Sequence, residues 1–319
     1  MASVLRLSIL IPWLGQPQQF EGTLVSVLEN RPADCEVVLA HVAPYDDPYA
    51  LGDEVRLIHA PDQTTLAGLI NAALPQLNGE IIHLLGCGVE VSEHWTEPAL
   101  AHFHDPEVAA VAPLVRDADG FQAGVLLTAD GRRRVAVATS LDEVAALEAE
   151  LSGPSLDAAF YHRDVLTALG GFDEQLGDSY VDLDLGLAIA DLGLRTVVET
   201  SLPLTMQTRV AIGEAGGLRG GAAAERFYRR HAQRCSAGQV SHLLHALASD
   251  AACLPRLEAL SRPVGRLLAW LEGSSSERHV ERVTAAAEAL EQMATDTLSL
   301  ESARHERGIG ASGSQRRAA

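Results

Sequence analysis

Short apolar strand-like runs alternate with helix-spaced segments along the first half of the chain, and this alternation restricts the fold to a sheet wrapped by helices. VLRLSILIP (Val4 to Pro12) reads as a strand covered on both faces at its end. Leu24, Val27 and Leu28 follow at helical spacing within Gln18 to Asn30. Further strands are expected at Cys35 to Val42, Glu54 to Ala60 and Gly79 to Leu85, with a helix over Leu66 to Leu77. The connections are short, which predicts a mostly parallel sheet. Its ligand-facing edge lies at the carboxyl ends of the strands, near Pro12 to Gly15, His41 to Pro44 and Gly86 to Gly88.

Further along, a helix is expected over His94 to His104, then a strand in VAAVAPLV. GVLLTADGRRRVAV (Gly124 to Val137) predicts a hairpin, because Asp130-Gly131 tolerates the positive φ of a tight turn. A helix over Asp182 to Leu192 and a closing strand, LRTVVET, complete this region. GEAGGLRGGAAA (Gly213 to Ala224) reads as a flexible loop, and the segments beyond it read as three to four helices. The expected division is a sheet domain at 1–212, a helical region at 213–306 and a disordered tail at 307–319.

At 319 residues and 47% hydrophobic, the chain can bury a large core. A formal net charge of −19 repels nucleic acid and anionic membranes, so neither is expected as a partner. The sequence contains no lysine, which excludes a Walker phosphate loop, a kinase-type lysine and a pyridoxal Schiff base. Cys35, Cys87, Cys235 and Cys253 form no C-x-x-C pair, a pattern that suits reduced thiols and a cytoplasmic location. No apolar run is long enough to span a membrane.

Three strings in order, LSILIPWLGQP, NGEIIHLLGCGVEVSEHW and RDVLTALGGFDEQLGDSYVDLDLGLAIADLGLRT, resemble family 2 glycosyltransferases of the GT-A fold. The match runs from about residue 4 to residue 210. The resemblance implies a nucleotide-sugar donor, a glycan or other hydroxyl acceptor, and transfer with inversion. It maps donor contacts onto Pro12, Gly15, His41, Asn71, Gly86, Cys87 and Gly88, and the catalytic base onto Asp182.

The departures cluster on the donor side. Gly15 stands for the turn asparagine, His41-Val42 for the base-binding aspartate, and Ile70 for the usual arginine. Gly86 and Gly88 replace both aspartates of the Asp-x-Asp metal motif, and the expected histidine near Met206 and Gln207 is absent. Magnesium and manganese take oxygen ligands, which Gly86-Cys87-Gly88 does not supply from side chains, so no divalent-metal cofactor is expected. Those glycines could instead turn backbone N–H groups toward a phosphate.

Asp182 lies where a helix begins, so a capping role stands beside that of a base. His41 reads as a loop-edge histidine or a base contact. Arg132 to Arg134 read as a solvated hairpin arm or as cationic compensation for a metal. Two functions stay open: a metal-independent glycosyltransferase, and a non-catalytic relative that binds or scaffolds. The C-terminal helices, with a stripe through Val280, Val283, Ala287, Leu290 and Met293, are expected to pack on the sheet domain or to form a homodimer.

Overall fold

The computed structural model describes residues 7–15, 17–43, 45, 47, 50–63, 65–207, 217–236, 239–252, 261–272 and 276–315. The first half contains β1 (Leu7–Trp13), α1 (Pro17–Asn30), β2 (Cys35–His41), β3 (Val55–His59), α2 (Leu66–Ala73), β4 (Ile81–Leu85), β5 (Val89–Glu90), α3 (Thr96–His102) and β6 (Val108–Arg116). Next come β7 (Phe121–Leu127), β8 (Arg133–Ala138), α4 (Leu141–Glu148), β9 (Ala158–His162), α5 (Arg163–Ala168), α6 (Val181–Asp191) and β10 (Arg195–Met206). The chain continues into α7 (Gly217–Arg230), α8 (Gln239–Ala252), α9 (Ser261–Leu271) and α10 (Ser276–Gln315).

The sheet runs β3-β2-β1-β4-β9-β6-β10-β5, and the β7–β8 hairpin extends from β6. β3, β2, β1 and β4 are mutually parallel, while β9 lies antiparallel between β4 and β6. β1 and β4 are buried at every position, as strands covered on both faces should be. One apolar layer packs α1 and α3 under the sheet through Phe20, Val27 and Ala99. The opposite layer packs α2, α5, α6 and α7 through Ile70, Leu166, Leu183 and Phe227. The hairpin turns at Asp130-Gly131 as expected, with Gly131 at φ +79°.

The helical region departs from expectation at its start. Gly217–Ala224 forms the first turns of α7, and Ala222 to Ala224 are buried; residues 208–216 lie outside the described residues. The glycines serve a close helix crossing. A Cβ on Gly221 would collide with the Arg262 carbonyl of α9, and one on Gly265 with the Leu218 carbonyl of α7. Small residues let two backbones approach, so a composition that reads as a loop builds a contact surface instead.

The α10 stripe finds its partner in the same chain. Ala286 is fully buried, and Val283 and Leu290 pack on the core layer shared with α5 and α6. Val280 remains 60% exposed. The backbone of α10 is helical through Gln315, past the boundary expected at 307. Among the described residues, no helix is long and apolar enough to cross a membrane.

His83, on β4, shows how this core handles a buried polar group. Its Nδ1–H donates to the Ala159 carbonyl at 3.1 Å, and its Nε2 accepts from the Trp95 indole at 3.2 Å. The ring lies flat on Phe160, with centroids 3.8 Å apart. Protonation would turn Nε2 into a donor facing another donor. Burial pushes the pKa down to about 4, against a smaller opposing effect of the Ala159 bond. The unfolded imidazole protonates near pH 6.5, so the unfolded state holds more protons between about pH 6.5 and 4. The stability from neutral His83 is present above that window and lost as pH falls through it. The full loss is about 3 kcal/mol. Urea titrations at stepped pH should show this decline in the wild type and a flatter slope in His83→Gln. Equal slopes would remove His83 as the cause.

Candidate functional site

The carboxyl ends of β1, β2 and β4 meet at one edge, where the sequence places the donor contacts. Pro12 and Trp13 close β1, in register with Ala40 and His41 of β2. Gly15 follows at φ +110°, a conformation that side-chain-bearing residues rarely adopt. The edge is lined by aromatic rings that pack on one another. Trp13 lies 4.7 Å from Phe20 and 5.9 Å from Tyr45, centroid to centroid. His41 is buried, its Nδ1 pairs with the Ala43 carbonyl at 2.7 Å, and its ring stacks on His59 at 5.0 Å. His41 is thus tied to its own loop and to a neighbouring ring.

The loop Gly86 to Gly88 sits at the carboxyl end of β4, as expected. Its backbone is already engaged. The Gly86 N–H donates to the Asp157 carbonyl at 2.8 Å, and the Gly88 N–H donates to Thr23 Oγ1 at 2.9 Å. The Gly88 carbonyl accepts from the Gln207 N–H at 3.0 Å. The N–H groups of both glycines, which could have cradled a phosphate, therefore point into protein partners. Packing is tight at Gly86, since a Cβ there would press on the Asp157 backbone at 3.0 Å. Cys87 donates its S–H to the Pro12 carbonyl at 3.3 Å, and burial pushes its pKa up to about 12.

Asn71 has a structural assignment. Its Oδ1 accepts from the Phe172 N–H at 2.8 Å, and its Nδ2 donates to the Phe172 carbonyl at 2.7 Å and to Glu174 at 3.1 Å. The amide clasps the Gly170-Gly171-Phe172-Asp173-Glu174 turn to α2. Gly171, at φ +73°, leaves the space that the Asn71 side chain fills.

Asp182 is fully buried in the first turn of α6, where Tyr180 is the residue at the cap position. Its carboxylate is gripped side-on by Arg133, with Nε–Oδ1 at 2.8 Å and Nη2–Oδ2 at 2.6 Å. It also accepts from the Leu183 N–H at 2.8 Å and, weakly, from the Leu156 N–H at 3.4 Å. Burial opposes the charge on Arg133, but Asp182 outweighs it and holds the guanidinium pKa above its usual value. Of the three hairpin arginines, Arg132 pairs with Asp130 at the surface and Arg134 is exposed, whereas the Arg133 side chain is 18% exposed and pairs with Asp182. Sequence spacing cannot show this pairing, because strand β8 brings it in from a distance.

Two residues further along α6, Asp184 is fully buried at the centre of a second charged cluster. Arg230 bonds both of its oxygens at 3.1 Å, Arg282 bonds Oδ2 at 2.8 Å, and His231 Nε2 donates to Oδ1 at 2.8 Å. Arg282 also donates to the Leu169 and Gly171 carbonyls, so it ties α10 to α5 and the glycine turn. His279 of α10 pairs with Asp191 at 2.9 Å. Asp184, His231 and His279 bring three potential ligand atoms within 4.8 Å of one another, a donor set of a kind zinc accepts. A dication there would face the two guanidiniums that already hold the carboxylate. The cluster is an ion-pair knot that joins α6, α7 and α10.

The arrangement of strands, with β9 antiparallel between β4 and β6, and the loop after β4 define the GT-A glycosyltransferase fold. The chain is similar to GalNAc-T7 solved with UDP, GalNAc and Mn2+, at TM-score 0.61 and 14% identity, covering 88% of this chain and 57% of that one. It is also similar to the mannosyltransferase PcManGT from Pyrobaculum calidifontis in complex with GDP-Man and Mn2+, at TM-score 0.54 and 18% identity, covering 90% and 87%. TarS 1-349 of S. aureus gives TM-score 0.53 and 11% identity, covering 92% of each chain. The chain thus spans just over half of GalNAc-T7 and most of the other two. No family model matches the sequence, and no curated protein matches it.

Proposed function

We propose that this protein is a glycosyltransferase-like member of the GT-A fold in which metal-assisted sugar transfer has been lost, and that it acts as a binding or scaffolding protein. The observation that carries this reading is the state of the carboxylate at the base position. Asp182 is 0% exposed and clamped by Arg133, so no oxygen of it faces an acceptor hydroxyl. The Gly86 to Gly88 loop supports the same conclusion, since it offers no side-chain oxygen and has committed its glycine N–H groups. Aromatic rings at the ends of β1 and β2 pack on each other where an acidic group would grip a nucleotide base. The UDP in the GalNAc-T7 structure and the GDP-Man in the PcManGT complex set the panel to test.

Calorimetry with UDP- and GDP-sugars, each with and without manganese, should show weak binding or none, with dissociation constants at or above about 1 mM. Manganese should change nothing. Micromolar binding that depends on manganese would overturn the proposal.

A second reading is supported by the sequence resemblance, which maps the catalytic base onto Asp182. If the β8 strand end shifted, Arg133 would release Asp182 to take the proton from an acceptor hydroxyl as that oxygen attacks the anomeric carbon. The diphosphate would then leave with the charge compensation of the freed guanidinium. Turnover of any sugar donor without metal, abolished in Asp182→Asn, would establish this reading in place of the first.

A further inference from the structure

The close crossing of α7 and α9 buries an acid without a hydrogen-bond partner. Glu225 lies one turn past Gly221 on α7 and is 0% exposed. Neither of its carboxyl oxygens meets a donor. Across the crossing, α9 turns Gly265 and Arg266 inward and leaves Leu267, Leu268 and Leu271 exposed. Arg266 keeps its Nη1 at 3.8 Å from Glu225 Oε2, beyond hydrogen-bond reach. Its Nε is committed to Asp250 of α8 at 2.7 Å. Arg262 of α9 stands at the other Asp250 oxygen, at 3.4 Å. Arg229, one turn on along α7, gives its Nη1 to the Trp270 carbonyl at 2.5 Å. An ionised carboxylate buried without a donor is strongly disfavoured, whereas a protonated one has a single O–H to place. Burial accordingly pushes the Glu225 pKa up, against the smaller pull of Arg266 and Arg229.

We propose that Glu225 is a proton-operated switch that decides which helix Arg266 ties to α9. With Glu225 protonated, Arg266 bonds Asp250 and locks α8 to α9, as in the structure. When Glu225 gives its proton to solvent, the new charge in a dry site draws Arg266 across. A movement of about 1 Å brings Nη1 to charge-assisted hydrogen-bond distance. Arg266 then ties α9 to α7, and of the two α9 arginines only Arg262 stays with Asp250. Having lost its shorter ion pair, α8 opens from α9 more readily. The other titratable groups nearby are Tyr228 on α7, whose phenol faces Glu225, and His242 on α8, which faces Arg266. Asp130 and Arg132 of the hairpin and His245 of α8 face His242 in turn. Burial, followed by Arg266, holds the His242 pKa down to about 4, so His242 is neutral in the folded protein above that pH.

The test compares the full chain with Glu225→Gln, which mimics the protonated acid and keeps every other titratable group. An unfolded glutamate ionises near pH 4.3. The folded protein holds this proton to higher pH, so the stability it brings is complete below about pH 4.3 and is lost as pH rises to the folded value. Neutral His242 gives a slope of opposite sign between about pH 4 and 6.5, which cancels in the comparison. In urea titrations from pH 4 to 8, the wild-type unfolding constant should rise against that of Glu225→Gln. The rise should be up to about tenfold per pH unit until Glu225 ionises. Glu225→Met, which carries neither charge nor proton, should follow Glu225→Gln. Hydrogen exchange, corrected for its intrinsic pH dependence, locates the change. The α8 amides should lose protection over the same step in the wild type and keep it in Glu225→Gln. Infrared difference spectra should show a protonated-carboxyl band in the wild type that disappears over that step and is missing from both variants. A stability difference that stays constant with pH would overturn the proposal, as would α8 protection that falls equally in wild type and variant. A Glu225→Gln protein that loses stability relative to wild type as pH rises would show Glu225 ionised and paired in the fold, and would overturn it too.

Discussion

Asp184→Ala is expected to lower stability by about 3–5 kcal/mol, the usual effect of stripping one partner from a buried ion pair. The substitution leaves Arg230, which is almost fully buried, and Arg282 facing each other without the carboxylate that neutralises them. It also removes the acceptor of the His231 N–H. Three helices feel the loss together, because α6 supplies Asp184, α7 supplies Arg230 and leads into His231, and α10 supplies Arg282. Asp184→Asn keeps the shape but not the charge and should lose most of the same amount. The melting temperature should fall by roughly 5–15 °C.

The same knot makes stability depend on pH in two steps. Burial by itself would raise the Asp184 pKa, but the His231 hydrogen bond with Arg230 and Arg282 outweighs it and holds the carboxyl well below the usual carboxylate range. A depressed carboxylate stabilises the fold above its unfolded pKa of about 4 and loses that contribution as pH falls further. His231 acts at higher pH. Burial pushes its pKa down more than Asp184 pulls it up, so its share is lost as pH drops below about 6.5. Urea midpoints measured from pH 7 to pH 3 should decline in both ranges. The step below pH 4 should shrink in the Asp184→Ala variant. A variant as stable as the wild type would show that the knot contributes no net stability.

Breaking the Arg133–Asp182 pair is the second large effect. Arg133→Ala strands a fully buried carboxylate, and Asp182→Asn leaves a mostly buried guanidinium without its charge partner. Each should cost about 3 kcal/mol. Replacing both partners by apolar side chains, Arg133→Met with Asp182→Leu, should recover much of the loss, because no uncompensated charge remains. A coupling energy of about 2 kcal/mol or more is expected from the double-mutant cycle. Additive single effects would mean that the pair contributes nothing as a pair. The outcome bears on function. An aspartate serving only as a helix cap would tolerate asparagine, since the two cap equally well, whereas one clamped in an ion pair would not.

The candidate site was legible where it depended on residue type. Gly86 and Gly88 carry no side-chain oxygen in any fold, so the absence of an oxygen-ligand loop follows from the letters alone. The position of that loop at a strand end followed from the strand pattern of residues 79–85. What the residues do there was not legible. Asn71, placed among the donor contacts by resemblance, spends its amide on the backbone of Phe172. Asp182 reads as a cap or a base, and the fold makes it half of an ion pair. Neither Asp184 nor His231 stands out within its own segment. The pairing of an interior Asp on α6 with an Arg-Arg-His run 46 and 47 residues later was the one available signal.

By itself, the sequence determined the layered architecture. Strand and helix periodicities are local, and apolar runs as continuous as LSILIPW must be covered on both faces wherever they lie. It also determined that the loop after β4 offers a thiol and two glycines instead of aspartates. Only the tertiary structure decided which charges are buried together and which apolar face is left outside. Arg133 meets Asp182 across 49 residues because the β7–β8 hairpin folds back over α6. The α9 leucines face solvent because Gly265 and Arg266 claim the inner face. Burial and charge pairing depend on three-dimensional proximity, and a periodicity read along one segment carries no information about what the opposing segment brings to meet it.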